Sequence, residues 1–112
     1  MSAKKNLERS LRQLLDMGVQ DINEELLQAI VKRQGVANSS LDASLVSETD
    51  KREKQYVVDK FIVEKLGEAA DQGAQELEAI LHAMKSVGIR QKQRAAVYYK
   101  LVQTFNKENM YL

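Results

Sequence analysis

The chain has 112 residues, 44% of them hydrophobic and 29% charged, with a formal net charge of +1. That length carries one domain with a core of its own, without metal or crosslinks. There is no cysteine, which excludes disulfides, thiolate chemistry, zinc ribbons and iron–sulfur clusters, and a net charge near zero supplies no strong field for nucleic acid or anionic lipid.

The chain opens Met-Ser-Ala-Lys-Lys-Asn, and no apolar run follows the lysines, so no secretory signal is expected. No stretch approaches the roughly 18 apolar residues of a membrane span. A cytoplasmic protein without membrane contact is the simplest expectation.

Proline is absent, and four of the five glycines (Gly18, Gly35, Gly67 and Gly88) close segments of helical period. Leu7, Leu11, Leu14 and Leu15 make the inward face of a first helix over residues 3–17. Asp21 is expected to cap a second helix, with Glu24 three residues on and Ile22, Leu26, Leu27 and Ile30 inward. Residues 36–46 break the period, and their Asn, Ser and Asp side chains favour local bonds over helix. Because Val36, Leu41, Leu45 and Val46 are apolar, this loop should be pinned to the core.

Ser47 is expected to cap the third helix with Asp50 as the N3 carboxylate. Its inward face comprises the Lys54 stem, Val57, Val58, Phe61, Ile62 and Leu66. Residues 68–73 read as a connection, and Asp71 is the expected cap of a fourth helix that buries Leu77, Ile80, Leu81, Met84 and Val87. A fifth begins near Arg90 and buries Ala95, Val97 or Tyr98, Leu101, Val102 and Phe105. Strand signals are nearly absent. The expected fold class is all-α: residues 1–112 as a single compact domain of about five short helices.

Candidate chemistry is sparse. His82 is the only histidine, at the edge of the fourth helix's apolar face, where a histidine usually keeps its polar tip in water. Asp42, Glu48, Asp50 and Glu53 could hold a divalent ion. However, the loop lacks EF-hand spacing, and carboxylates in a first helical turn need no ion. No glycine loop precedes a Lys-Ser or Lys-Thr pair, so no phosphate cradle is expected. The reading is non-enzymatic, with no cofactor and no metal.

Charge is uneven along the chain. Ten acids and five bases lie between Leu41 and Ile80, whereas from Lys85 to Lys107 there is no acid and six bases. That last stretch also carries Tyr98, Tyr99 and Phe105. The acidic middle and basic end could neutralise each other, or the end could be a binding surface made of Arg90, Lys92, Arg94, Tyr99 and Lys100. Arg90 to Arg94 could also open a recognition helix after a helix-turn-helix, although Arg94 then occupies an apolar position. Only one of the adjacent Tyr98 and Tyr99 should point fully inward. Met110, Tyr111 and Leu112 should fold back over the core, or else offer a patch to a second copy or a partner.

Two stretches resemble a known family. Leu41-Asp42-Ala43-Ser44-Leu45-Val46-Ser47-Glu48-Thr49-Asp50 with Val58-Asp59-Lys60-Phe61-Ile62-Val63-Glu64-Lys65-Leu66-Gly67 is similar to the centre of a small bacterial family, domain of unknown function 2853. So is Arg94-Ala95-Ala96-Val97-Tyr98-Tyr99-Lys100-Leu101-Val102, continuing to Phe105, Lys107, Glu108 and Tyr111. The likeness covers most of the chain from Leu41 onward; the first forty residues share mainly helical pattern and length. It implies a helical, one-domain bacterial cytosolic protein and brings no activity or site. Two functions stay open: a helical interaction module using the fifth helix and residues 41–47 against a protein partner or a second copy, and a nucleic-acid binder using Arg90, Lys92, Arg94 and Lys100.

Overall fold

In the computed structural model, which describes residues 3–34 and 44–112, the last of five helices packs among three of the others and a short two-stranded ribbon. The order is α1 (Ala3–Asp16), α2 (Glu24–Gln34), β1 (Leu45–Val46), α3 (Lys51–Tyr56), a π-helix continuing α3 (Val57–Val63), α4 (Ala70–Ser86), β2 (Lys92–Gln93) and α5 (Arg94–Thr104). A 3-10 turn (Glu108–Met110) follows. Gly35 and residues 36–43, including Val36 and Leu41 of the expected loop, lie outside the described residues.

Helix ends follow the glycines. At Gly18 and Gly88, with φ of 82° and 83°, the chain takes the left-handed turn that lets two backbone N–H groups reach back into the last helical turn. Gly18 N donates to Leu15 O and Val19 N to Leu14 O; Gly88 N donates to Lys85 O and Ile89 N to Met84 O. Asn106 closes α5 the same way, with φ 57°, its N donating to Gln103 O and Lys107 N to Val102 O. The sequence reading had no stop there.

Helix starts differ from expectation. Asn23, not Asp21, caps α2, its Oδ1 accepting from Leu26 N at 3.1 Å, while Asp21 takes a left-handed φ of 53°. Asp50, not Ser47, caps α3, accepting from Arg52 N and Glu53 N. Ser47 remains exposed and meets Thr49 instead. Helix α4 starts at Ala70 with Asp71 in its first turn, and Ala69 at the cap makes no side-chain bond.

The largest departure is at residues 90–93. They do not begin a helix: Lys92 and Gln93 pair antiparallel with Val46 and Leu45, and Arg94 N donates to Ser44 O at 2.8 Å. This ribbon supplies the first backbone partners of α5, which otherwise lacks a side-chain cap. Gln13 on α1 seals the ribbon's other edge. Its amide donates to Gln91 O at 2.7 Å and accepts from Gln93 N at 2.9 Å, as a neighbouring peptide group would.

Helix α5 packs against α1, α2, α4 and both strands. Surrounded in this way, it buries Arg94, Ala95, Ala96, Val97, Tyr98, Tyr99, Leu101 and Val102, so both adjacent tyrosines lie inside. Two expected core residues do not. Leu15 (57% exposed) and Val87 (49% exposed) sit at helix ends that run past the core. On α1 the buried side is Asn6, Ser10 and Leu14, with Leu7 and Leu11 partly covered. Tyr111 folds back, buried against Arg33 of α2, whose guanidinium lies 4.6 Å from the ring centroid and donates to Met110 O. Met110 and Leu112 stay exposed.

The π-helix places Val57, Val58, Phe61 and Ile62 inward on one broad face. Gly73 of α4 leaves room for the Ile62 side chain to pack against the helix: a Cβ there would fall 2.5 Å from Ile62 Cγ2. Gly73→Ala should therefore lose stability, by about 1–2 kcal/mol, because overpacking outweighs the roughly 1 kcal/mol of helix propensity gained. Urea denaturation followed by circular dichroism measures this, and an unchanged or raised midpoint would contradict the close approach.

Candidate functional site

Arg94 enters the interior at the first residue of α5, so its side chain must find its partners there. One Nη2 bond goes to Leu45 O at 3.1 Å, Nη2 also pairs with Glu53 Oε1 of α3, and Nη1 bonds the Tyr98 hydroxyl at 3.1 Å. The guanidinium stands 5.7 Å from the Tyr98 ring centroid, and that ring stacks on Phe61 at 3.7 Å, 10° from parallel. One cation thus joins β1, α3 and α5 to the π-helix through an aromatic pair. Burial alone would lower the Arg94 pKa, but Tyr98 and Glu53 outweigh it and raise the value above the ordinary one. The side chain stays charged.

The neighbouring charges follow the same arrangement. Lys92, buried on β2, faces Glu48 at 3.9 Å; Lys107 meets Glu68 at 3.3 Å; Lys54 of α3 meets Glu78 of α4 at 2.6 Å. Lys92, Arg94 and Lys107 of the basic end therefore pair with Glu48, Glu53 and Glu68 of the acidic middle. Of the six bases, Lys85, Arg90 and Lys100 have no ion pair among the described residues.

The five residues expected to form one surface do not share a face. Arg90 is exposed and Lys100 half-buried, while Lys92, Arg94 and Tyr99 are buried. The Tyr99 hydroxyl accepts from Asn23 N at 2.9 Å, tying α5 to the cap of α2. Position 94 does hold the second helix on its neighbours, as a buried apolar residue would, but through hydrogen bonds. The sequence reading missed Glu53 as its partner, and Gln13 as the clamp on β2. Glu53 could have been found only as an acid one turn into a helix; Gln13 carried no signal.

Concave surface lies on either side of the turn between α4 and β2. On one side is an open cleft of about 850 Å³ between residues 45–53 and 85–92. Leu45, Val46 and Ile89 supply its apolar lining, Glu48, Asp50 and Glu53 one wall, and Lys85, Arg90 and Lys92 the other. On the other side, Arg90, Gln91 and Gln93 join α1 residues in a shallower cleft of about 750 Å³. His82 is exposed on α4 and lines neither cleft. Among the described residues no three His, Asp or Glu side chains converge as a metal-binding group. The hydroxyls of Ser47 and Thr49, in the first cleft, lie 3.4 Å from each other.

Against known proteins, the family model DUF2853, described as a protein of unknown function, matches residues 11–109. No curated protein matches the chain.

Two outcomes test this arrangement. Glu53→Gln leaves Arg94 buried with one anionic partner fewer, and should lose about 3 kcal/mol of stability. Arg94→Met together with Glu53→Gln should lose less than the two single changes summed, as measured by a double-mutant cycle in urea. Additivity would contradict a coupled pair.

Burial raises the pKa of Tyr98, with Arg94 only partly offsetting it, and raises that of Tyr111, with Arg33 opposing. A raised folded-state value means the unfolded chain releases these protons first. The stabilisation is therefore complete below pH about 10 and is lost as pH climbs past the folded values. An alkaline titration should show Tyr98 and Tyr111 ionising late, together with loss of helical circular dichroism. Ionisation of Tyr98 and Tyr111 near pH about 10 with the fold intact would contradict this.

Proposed function

The chain belongs to the DUF2853 family, and we propose that it is a non-enzymatic helical module that binds a partner protein in the cleft between residues 45–53 and 85–92. The observation that carries the reading is the cleft itself: about 850 Å³ of open concave surface with apolar lining and charged walls, in the range of recognition pockets. Its groups suit binding rather than reaction. Asp50 is spent on capping α3 and Glu53 on Arg94, and the hydroxyls within it face each other, with the chain's one histidine elsewhere. Among the described residues of the cleft, the hydroxyls of Ser47 and Thr49 bond each other and not a carboxylate or a histidine.

This moves the binding surface away from α5, which is enclosed by its neighbours, and onto the segments that flank it. Residues 41–43 of the loop lie outside the described residues. Nucleic-acid binding through Arg90, Lys92, Arg94 and Lys100 is the weaker reading, because Lys92 and Arg94 face inward in ion pairs and a net charge of +1 provides little attraction. The cytoplasm of a bacterial cell is the proposed location, supported by the lack of cysteine. No helix among the described residues is long and apolar enough to cross a membrane.

The test is affinity capture from a lysate of the source cells, using the wild type, Thr49→Trp to fill the cleft, and Gln72→Trp on exposed α4 surface as a control. A protein captured by the wild type and the control but lost with Thr49→Trp supports the reading. Capture of nothing, or capture indifferent to Thr49→Trp, contradicts it.

A further inference from the structure

Resting on that reading, we infer that the segment received by the cleft is acidic, carries an apolar side chain, and is held by Lys85 and Arg90. The fold consumes most of the cleft's charges in its own contacts and leaves two. All three carboxylates of the cleft wall are engaged: Glu48 with Lys92, Glu53 with Arg94, and Asp50 with the backbone N–H groups of Arg52 and Glu53. Facing them, Lys85 and Arg90 are exposed and have no ion pair among the described residues. The wall therefore presents two cations that form no ion pair among the described residues, opposite an Asp50 carboxylate held by backbone N–H groups.

Position strengthens this. Lys85 is in the last turn of α4, where the helix end carries partial negative charge, so a cation is stabilised there before any ligand arrives. Arg90 lies just beyond the Gly88 turn and borders both clefts, so one guanidinium can serve a chain passing between them. In the second cleft Arg12 and Asp16 pair with each other at 3.5 Å and Glu8 and Arg9 also line the wall; Arg90 is the charged residue the two clefts share.

The rest of the lining favours a peptide over a nucleic acid. Half-buried Leu45, backed by the core residues Val46 and Ile89, offers a small aliphatic contact for one apolar side chain. Among the described residues no aromatic ring lines the cleft on which a base could stack: Tyr98 and Tyr99 are buried in the core. Backbone pairing with the ribbon is also closed on the β2 side, where Gln13 occupies the edge. On that side recognition falls to side chains and charge, which makes it salt-sensitive.

Fluorescence anisotropy tests the inference on the full chain. The probes are a fluorescein-labelled glutamate peptide with one central leucine, its serine and lysine counterparts, and a single-stranded oligodeoxythymidine. The glutamate peptide should bind most tightly, weaken with added salt, and lose about tenfold in affinity with Lys85→Glu plus Arg90→Glu. Arg90 is exposed beyond the helix end, so Arg90→Glu alone should leave the melting temperature unchanged, whereas Lys85→Glu, in the last turn of α4, should lower it slightly; the Lys85→Gln and Arg90→Gln pair should give a smaller loss of affinity in the same direction. Equal binding of glutamate and serine peptides would overturn the acidic partner while leaving a cleft-binding module standing. Tighter binding of the oligonucleotide, no binding of the glutamate peptide, or indifference to both pairs of substitutions overturns the inference outright. Failure of the module itself is read separately, from the capture experiment with Thr49→Trp.

Discussion

A guanidinium inside a small helical protein must be fully supplied with acceptors, and the need to supply Arg94 organises the middle of this structure. Leu45 must present its carbonyl, Glu53 its carboxylate and Tyr98 its hydroxyl, from three different segments of chain. An unpaired charge at this depth would be far more costly than any one contact it makes. The segment 44–46 is consequently held against the start of α5, and the two-residue ribbon with Lys92 and Gln93 follows. The same ribbon gives α5 its first backbone bond and Gln13 a strand edge to clamp.

That arrangement also decides what is left for function. Tethering acids from the middle of the chain to bases near its end consumes Lys92, Arg94 and Lys107. Half of a basic run that looks like a surface in the sequence is ion-paired, and two of its members, Lys92 and Arg94, are buried. Of the three bases without an ion pair among the described residues, Lys85 and Arg90 flank the turn between α4 and β2, and Lys100 lies on α5. Specificity in the proposed binding role then depends on Lys85, Arg90 and a small aliphatic contact.

How much of this was legible depends on whether the cause was local. Helix stops at Gly18, Gly67 and Gly88 were readable because a left-handed residue after an apolar stripe is a one-position signal. Starts were less readable. Asp21 and Asn23, like Ser47 and Asp50, offer equivalent capping chemistry a few residues apart, and tertiary contacts decide between them. Arg90 to Gln93 lacked a strand pattern altogether; their partner is over forty residues away, and the pairing exists because Arg94 must be satisfied there. Tyr98 and Tyr99 could both be buried because α5 is enclosed on all sides, a property of the packing rather than of its period. The candidate site was legible only in part: Arg90 was in the expected set and lies on the cleft, whereas Lys85 was seen only as part of the basic run, and the cleft itself comes from segments the sequence does not link.

The most direct test of Arg94 as the organising cation is its guanidinium signal in nitrogen-15 NMR at neutral pH. Held by Leu45, Glu53 and Tyr98, its Nη groups should rotate slowly and give separate resonances whose protons exchange late with solvent, while those of exposed Arg90 should be averaged and exchange fast. Arg94 resonances as averaged and as quickly exchanged as those of Arg90 would contradict the account.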